Sequence, residues 1–247
     1  MTHVIAIANH KGGVGKTTTA VNIGAGLSRK GYNVLLVDMD AQSNLTDTLH
    51  AHADTDIYDM LKGATPTPVV ISEHLHVLPS TLELASAEVE LSTTIGREAL
   101  LKEVLQPLKQ KYNYIIIDTA PTLGLLTINA MSAADAVIIP MQAEYFALKG
   151  IRGLLNVIDN VRKRINKALK VGGVIVTQYD SRTTLHEQVT AAIRAQFAIN
   201  MFGTCVRNNI AIAEAQAKGS DIFTYAPDSA GAKDYGKIVD EFLVRFP

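Results

Sequence analysis

The stretch that decides the fold reads His10-Lys11-Gly12-Gly13-Val14-Gly15-Lys16-Thr17-Thr18. It follows an apolar run at residues 4–8 and precedes a segment with apolar residues at helical spacing. A glycine-rich turn from a strand into a helix points successive backbone N–H groups at one place, and the helix adds the positive end of its dipole. The stretch therefore predicts a polyphosphate cradle, in which Lys16 reaches the β- and γ-phosphates and the Thr17 hydroxyl reaches Mg²⁺.

One position departs from the common phosphate-loop spacing, G-x-x-x-x-G-K-[ST]. Glycine is expected at position 10, where this chain has His10, and a second lysine, Lys11, comes next. Because one lysine suffices for a single phosphate cradle, the additional lysine requires another role. A plain tight turn ahead of a helix is the alternative interpretation, and the register of the glycines, Lys16 and Thr17 after a strand argues against it.

Length and composition predict one α/β domain. The chain has 247 residues, 47% of them hydrophobic, and no Pro-, Gly- or Ser-rich linker divides it, so residues 1–247 are expected to form a single domain. No apolar stretch approaches the ~18 residues of a membrane span, and no secretion signal is recognisable. The single cysteine, Cys205, excludes an internal disulfide and a cysteine-rich metal site. These features predict a cytoplasmic protein that does not use a membrane.

Apolar runs alternate with helical patterns along the chain. Strands are predicted at residues 4–8, 34–37, 75–78, 114–117, 136–140, 174–177 and 201–206. Helices are predicted at residues 17–30, 97–111, 124–134, 148–166, 184–197 and 232–246, with Pro107 bending or dividing its segment. The pattern predicts a doubly wound, mostly parallel sheet with helices on both faces and ligands beyond the carboxyl ends of the strands.

Acidic residues end two of the predicted strands at the edge where a phosphate would bind. Asp38 and Asp40 follow the second strand, and Asp118 follows a later one. An aspartate after a strand is often only a turn former or a helix cap. Three of them in a chain with a phosphate loop favour a magnesium and water site, because phosphoryl transfer depends mainly on positioning and charge stabilisation.

Charge is distributed unevenly, although the net charge is −1. Residues 149–218 hold eleven lysines and arginines against four acids, a surplus of +7, and the remainder of the chain carries −8. This asymmetry suggests a basic face that could meet nucleic-acid phosphates, and an ordinary solvated helix surface is the alternative.

Residues 11–18 resemble the deviant Walker A motif of the ParA/MinD group of P-loop ATPases. The resemblance implies that these residues bind ATP and that Lys16 is the ordinary phosphate-loop lysine. It implies that Lys11 reaches across a dimer interface to the nucleotide of the partner. A cation delivered from a second subunit stabilises charge on the transferring phosphoryl group, as an arginine finger does.

The same resemblance assigns the carboxylates. Asp40 would position or polarise the attacking water, which makes Lys11, Lys16 and Asp40 the candidate catalytic residues. Thr17 and Asp118 would hold Mg²⁺, with Asp38 supporting its coordination.

The similarity extends through nearly the whole chain to Soj-like ParA proteins, since residues 140–148, 176–183, 212–215 and 234–237 also fit their pattern. A nitrogenase iron protein needs several cysteine ligands, and this chain has one. MinD ends in an amphipathic membrane helix with a basic face. Residues 238–247 hold two acids against one arginine, so they are expected to pack on the domain instead.

Membership of this group implies an ATP-dependent homodimer that binds double-stranded DNA non-specifically, associates with the nucleoid, and is stimulated by a ParB-like centromere-binding protein. The outcome would be plasmid or chromosome segregation. The candidate DNA contacts are Arg152, Arg182, Arg207 and Lys218. A related ATPase that positions a protein cargo is one alternative. A metabolic or metal-delivery P-loop ATPase without DNA binding is the alternative from another class.

Overall fold

The fold is organised around a seven-stranded sheet in a computed structural model that describes residues 1–144, 147–180, 182–197 and 200–247. The strands are β1 (His3–Ile7), β2 (Val34–Met39), β3 (Val69–Ser72), β4 (Leu75–Leu78), β5 (Tyr114–Thr119), β6 (Ala136–Gln142) and β7 (Lys170–Thr177). Their order across the sheet is β3-β4-β2-β5-β1-β6-β7. Only the β3–β4 pair among these neighbours is antiparallel. The predicted mostly parallel, doubly wound sheet is confirmed.

Helices cover both faces of this sheet. Within the described ranges the α-helices are α1 (Lys16–Arg29), α2 (Asn44–Thr48), α3 (Ile57–Leu61), α4 (Ala87–Glu90), α5 (Leu100–Leu105), α6 (Leu125–Ala133), α7 (Ala147–Arg164), α8 (Thr184–Phe197), α9 (Ile210–Ala217), α10 (Ile222–Tyr225) and α11 (Ala230–Arg245). Short 3₁₀ turns lie at Leu82–Ser86, Leu91–Thr93 and Arg97–Ala99.

Alternate residues of the central strand enter two separate cores. In β1, Val4 and Ala6 pack with α3, α5, α6 and α7, whereas Ile5 and Ile7 pack with α1, α10 and α11. All four side chains are fully buried, as expected for a parallel sheet covered on both faces. The last helix, α11, buries Phe242 in the second core, so the C-terminal segment packs on the sheet as predicted.

Two predicted elements are wrong. The helix predicted at residues 97–111 is a 3₁₀ turn followed by α5, which ends at Leu105 because Pro107 has no N–H to continue it. The strand predicted at residues 201–206, within the described ranges, is absent; one isolated bridge joins Met201 to Val174, and a second joins Arg207, just beyond the predicted range, to Tyr179.

A side chain from α11 interrupts that last strand. The carboxylate of Glu241 accepts the backbone N–H groups of Gly203 and Thr204 at 2.7 and 2.8 Å. Those two amides are therefore drawn away from β7, and a regular ladder is not formed.

Some predictions fall on residues outside the described ranges. Tyr145, Phe146 and Ser181 belong to the segments that carried the family resemblance, and the side chain of the basic residue Lys149 is likewise not described. None of the helices in the described ranges combines the length and apolarity that a bilayer crossing requires.

Candidate functional site

The glycine-rich stretch connects the carboxyl end of β1 to the first residue of α1. Gly13 and Gly15 adopt φ angles of +72° and +85°, a conformation that side-chain-bearing residues rarely take. A Cβ atom at Gly12 or Gly13 would meet nothing within 4 Å, so the loop presents bare backbone to open space. Gly15 is the N-cap of α1, whose first turn contains no acidic residue. The positive end of the helix dipole is therefore left for an anion.

Hydrogen bonds from β6 and β7 hold this loop through its carbonyl groups. The Thr177 hydroxyl donates to the Val14 carbonyl at 2.8 Å. The Gln178 amide donates to the Gly13 carbonyl at 2.8 Å, and the Gln142 amide donates to the same oxygen at 3.3 Å. With these acceptors satisfied, the N–H groups of the loop are the ones available to a phosphate.

Lys16 and Thr17 begin α1 beside buried carboxylates. Lys16 is 7% exposed, and burial lowers its pKa while the charges of Asp118 and Asp40 oppose that shift. The Thr17 hydroxyl donates to the Asp118 carboxylate at 2.6 Å. An ammonium, a hydroxyl and a carboxylate thus meet at the start of one helix.

Asp38 and Asp118 occupy opposite positions on the neighbouring strands β2 and β5, and both are 0% exposed. Burial raises the pKa of Asp38 to about 6. Burial and the nearby charge of Asp38 raise the pKa of Asp118 well above its usual range. Two carboxylates this close in a buried environment repel each other when both are ionised, and nearby cations stabilise them. Lys16 supplies one such positive charge.

Asp38 is also fixed by the segment that follows it. One carboxylate oxygen accepts the Thr46 backbone N–H at 3.0 Å and the Thr46 hydroxyl at 2.8 Å. The other oxygen accepts the Asp40 backbone N–H at 3.1 Å. Asp38 therefore shapes the turn that carries Asp40.

Asp40 lies at the surface of the cavity above these groups. It is 7% exposed, and its carboxylate accepts the Gln42 backbone N–H at 3.0 Å. The Ser80 hydroxyl donates to the Asp40 carbonyl at 2.9 Å. Both contacts fix the carboxylate on a turn that faces the phosphate loop.

The phosphate loop and Asp40 line one cavity of about 660 Å³, called the phosphate cavity below. Its volume falls in the range of roughly 300–1,000 Å³ that is usual for small-molecule sites. The predicted residues that the structure brings together here are Gly12, Gly13, Gly15, Lys16, Thr17, Thr18 and Asp40. The sequence interpretation missed a second group of lining residues, Asp47, Thr48, His50, Gln216, Ala217 and Gly219. The polar run after Asp40 offered a signal for Asp47, Thr48 and His50. No such signal pointed to Gln216, Ala217 and Gly219, because the end of α9 is distant in sequence from the phosphate loop.

The donor set fits a magnesium–nucleotide complex. Thr17 and Asp118 supply the oxygen ligands that Mg²⁺ prefers, directly or through water, and the loop amides suit phosphate oxygens. No group of three or more His, Cys, Asp or Glu residues with metal-binding geometry occurs in the part of the chain that the structure describes. A metal at this site would therefore depend on ligands from a nucleotide and water.

Lys11 lies on the other side of the loop. Its ammonium donates to the Glu144 carboxylate at 2.8 Å and to the Gln142 side-chain oxygen at 3.0 Å, and its side chain is 46% exposed. Lys11 and Val14 line a second cavity of about 460 Å³, called the lysine cavity below, together with Leu123, Met141 and Ile151. The two lysines of one motif therefore serve two different surfaces.

His10, at the position where glycine was expected, packs against α7. A Cβ atom added at Gly150 would lie 2.6 Å from the His10 Cε1 atom, so the ring fits because residue 150 is glycine. Gly150 and His10 both line the lysine cavity.

The candidate DNA contacts lie apart from the phosphate loop and differ from one another. Arg182 is exposed and forms a two-point ion pair with Asp180, with distances of 2.9 and 2.8 Å. Arg207 is clamped on the buried Asp234, with a shortest distance of 2.7 Å. Since Asp234 is 4% exposed, Arg207 has a structural role that its charge alone did not reveal.

The other two candidates are exposed on helices. Arg152 lies on α7, and Lys218 is the C-cap of α9, directly before Gly219 of the phosphate cavity. Cys205 is half-buried, and burial raises the pKa of its thiol, in agreement with an unreactive residue.

Comparisons with known proteins agree with this geometry. A family model described as an AAA domain matches residues 2–171. The sporulation initiation inhibitor protein Soj of Bacillus subtilis is 45% identical over 248 residues, which cover 98% of each chain. The chromosome-partitioning ATPase Soj of Thermus thermophilus is 43% identical over 242 residues, covering 98% of this chain and 95% of that protein.

Solved structures share the fold as well. The crystal structure of cobyrinic acid a,c-diamide synthase from Mycobacterium smegmatis, with bound ADP and magnesium, superposes on this chain with a TM-score of 0.86 and is 35% identical in sequence. The superposition covers 98% of this chain and 94% of the synthase chain. With relatives this similar over their whole length, the chain belongs to the Soj/ParA family of chromosome-partitioning P-loop ATPases.

Proposed function

We propose that residues 1–247 act as one ATPase domain that binds Mg²⁺·ATP, closes into a homodimer, holds double-stranded DNA non-specifically, and releases it on hydrolysis. The observation that carries the proposal is the division of labour between Lys16 and Lys11. Lys16 belongs to the phosphate cavity of its own chain, whereas Lys11 lies on an exposed face on the other side of the loop. A lysine in that position is suited to the nucleotide of a second copy.

The residues of the phosphate cavity have distinct roles in this proposal. The loop amides and Lys16 bind the β- and γ-phosphates, and the Thr17 hydroxyl with Asp118 holds the metal. Mg²⁺, when bound, would neutralise charge that develops on the phosphate oxygens. Asp40 orients the attacking water, since it is the one of the three strand-end aspartates, Asp38, Asp40 and Asp118, that lines the cavity.

A smaller cavity beside the first is proposed for the base and sugar of the nucleotide. It measures about 260 Å³ and shares Gly15, Thr18, Gln178 and Gln216 with the phosphate cavity. Asn208 and Asn209 also line it, and their amides can both donate and accept, as the edge of a purine requires.

Segregation follows if the closed dimer presents its basic surfaces to the nucleoid. The surplus of +7 in residues 149–218 supports phosphate contacts by Arg152, Arg182 and Lys218. A ParB-like centromere-binding protein would stimulate hydrolysis and so set the time of release. Arg207 is a weaker candidate than Arg182, because its side chain is less exposed, at 51% against 88%, and its partner Asp234 is buried.

Binding of a duplex of arbitrary sequence with and without ATP tests the proposal. Filter binding or fluorescence anisotropy should show ATP-dependent affinity that falls steeply with salt. Lys16→Ala is the matched control, since it should remove the ATP dependence and leave the basic residues in place. ATP hydrolysis without ATP-dependent DNA binding at low salt would favour a metabolic ATPase and overturn the segregation function.

A further inference from the structure

His50 has an unusual backbone conformation at the edge of the phosphate cavity. In the described ranges, three residues other than glycine have left-handed φ angles: Ser43 at 53°, His50 at 50° and Gln178 at 50°. Such a conformation is uncommon for a side-chain-bearing residue and persists where surrounding contacts hold it. Gln178 has an evident reason, because its side chain ties down the phosphate loop. At His50 the reason is the end of α2: the N–H groups of His50 and Ala51 donate to the carbonyls of Asp47 and Thr46 at 3.2 and 2.9 Å, a helix-terminating turn that places His50 in the left-handed region.

The His50 ring lies directly against Gly219. A Cβ atom added at Gly219 would lie 2.6 Å from the ring Cε1 atom and 2.8 Å from Cδ2, so no residue with a side chain fits there without displacing the ring. Gly219 itself has a φ of +67°, which ends α9 with a left-handed turn. Ring and glycine therefore form a matched pair.

This pair joins two walls of the phosphate cavity. One wall runs from Asp40 through α2 to His50, and the other is the C-terminal end of α9 with Gln216 and Ala217. The two walls are far apart in sequence, and both line the phosphate cavity together with the phosphate loop. Separation of the two walls would be a local opening of the fold, and it would widen the exit for a ligand bound in this cavity.

We propose that His50 is a positioning residue that retains the bound nucleotide by holding the α2 wall against the end of α9. The inference rests on the proposed function, in which the phosphate cavity binds ATP. Removal of the ring would lower the barrier to opening and leave the phosphate-binding groups in place. The effect is therefore expected in the dissociation rate, which is where the loss of a single contact usually appears.

Stopped-flow release of a fluorescent ATP analogue from the full chain, with Mg²⁺, tests this role. His50→Gly and His50→Asn both tolerate the left-handed backbone and both lack the ring. Each should release the analogue roughly five- to tenfold faster, with little change in the association rate. The thermal melting temperature should stay level or rise, because glycine and asparagine suit the left-handed position after α2. A lower melting temperature with an unchanged release rate would assign the ring a structural role only.

His52→Ala is the matched control. His52 is two residues away, it is exposed, and it pairs with Asp47 at 3.6 Å without lining the phosphate cavity. Its removal should leave the release rate unchanged.

A double-mutant cycle separates contact from flexibility. Gly219→Asn keeps the left-handed turn and adds a Cβ atom at the ring, so it should change the release rate in the wild-type background and much less in His50→Gly. Additive effects, or unchanged release in both His50 variants while the wild type binds the analogue, would overturn the inference alone. A wild-type chain that fails to bind the analogue would overturn the proposed function and this inference together.

Discussion

The two sides of the phosphate loop differ in exposure and in the neighbours of their lysines. On the phosphate side, Lys16 is 7% exposed and lies among polar groups that include Thr17 and Asp40. On the other side, Lys11 is 46% exposed and pairs with Glu144 beside an apolar cavity.

Under the proposed function, this difference separates the residues that act on the nucleotide from the residue that meets a second copy of the chain. Burial strengthens electrostatic interactions and fixes the groups that act on a phosphate. An exposed cation stays available to another molecule, because the ion pair that it forms within its own chain is weak. Neighbouring residues of one turn can serve both purposes, because the turn directs their side chains to opposite surfaces.

The largest effect is expected from Lys16→Ala. Loss of a nearly buried cation from a phosphate site should weaken ATP binding by about 100- to 1,000-fold and abolish hydrolysis. Titration with a fluorescent ATP analogue measures the first effect. Lys11→Ala is the matched control, in which nucleotide capture survives while ATP-dependent dimerisation and hydrolysis fall. Equal loss of nucleotide capture in both variants would contradict the separation of the two sides.

Asp40→Ala tests the catalytic half of the comparison. The variant should bind ATP normally, hydrolyse it about 100- to 1,000-fold more slowly, and accumulate as a dimer. Turnover assays and size-exclusion chromatography with ATP provide the measurements. Asp47→Ala removes an exposed carboxylate from the same cavity and should have little effect on turnover. Loss of nucleotide binding in Asp40→Ala would assign Asp40 to capture rather than hydrolysis.

A pH dependence of stability is expected from the buried side of the loop. Folding raises the pKa of Asp38 from 3.8 to about 6, so the folded state binds its proton more tightly than the unfolded state does. This contribution to stability is complete below about pH 4 and is lost as pH rises through about pH 6. The loss amounts to ~3 kcal/mol of unfolding free energy, from the size of the shift.

Urea denaturation without nucleotide or Mg²⁺, between about pH 4 and about pH 7, measures this loss. Asp38→Asn should show a smaller decline in unfolding free energy than the wild type over that range. Asp47→Asn, which neutralises an exposed carboxylate of the phosphate cavity, serves as the control and should follow the wild type. Parallel declines in all three proteins would show that Asp38 is not the group responsible.

The smallest effect is expected from Glu144→Gln on the exposed side. The substitution keeps the side-chain volume and removes the charge that holds Lys11 in its own chain. Because an exposed ion pair contributes at most about 1 kcal/mol, ATP-dependent dimerisation should strengthen by only about two- to fivefold. Analytical ultracentrifugation over a concentration series measures the shift. Weaker dimerisation would indicate that Glu144 assists Lys11 at the interface rather than competing for it.

The phosphate loop could be predicted because its information is local. Gly13 and Gly15 are typical of a turn with left-handed backbone angles, and Lys16 and Thr17 are the first two residues of the helix that follows. The strand-end carboxylates could also be predicted, since parallel strands bring their carboxyl ends to one edge. Asp38 and Asp118 do lie opposite each other on neighbouring strands.

The walls of the site could not be predicted in the same way. Gln216 and Gly219 reach the phosphate cavity only because the fold brings the end of α9 beside the phosphate loop, about 200 residues away in sequence. Glu241 breaks the strand expected at residues 201–206, through hydrogen bonds to Gly203 and Thr204 that span nearly forty residues. The surplus of positive charge in residues 149–218 could be read from the sequence, whereas the ion pair between Arg207 and Asp234 could not.

By itself, the sequence determined the parallel α/β sheet, the polyphosphate cradle and the family, because each depends on residue types at short, fixed spacings. Only the tertiary structure decided that Lys16 and Lys11 face separate cavities, that Asp38 is buried against Asp118, and that the His50 ring rests on Gly219. Those arrangements depend on contacts between distant segments. Burial, and with it the strength of each charge, is set by what the fold packs around a residue rather than by its neighbours in the chain.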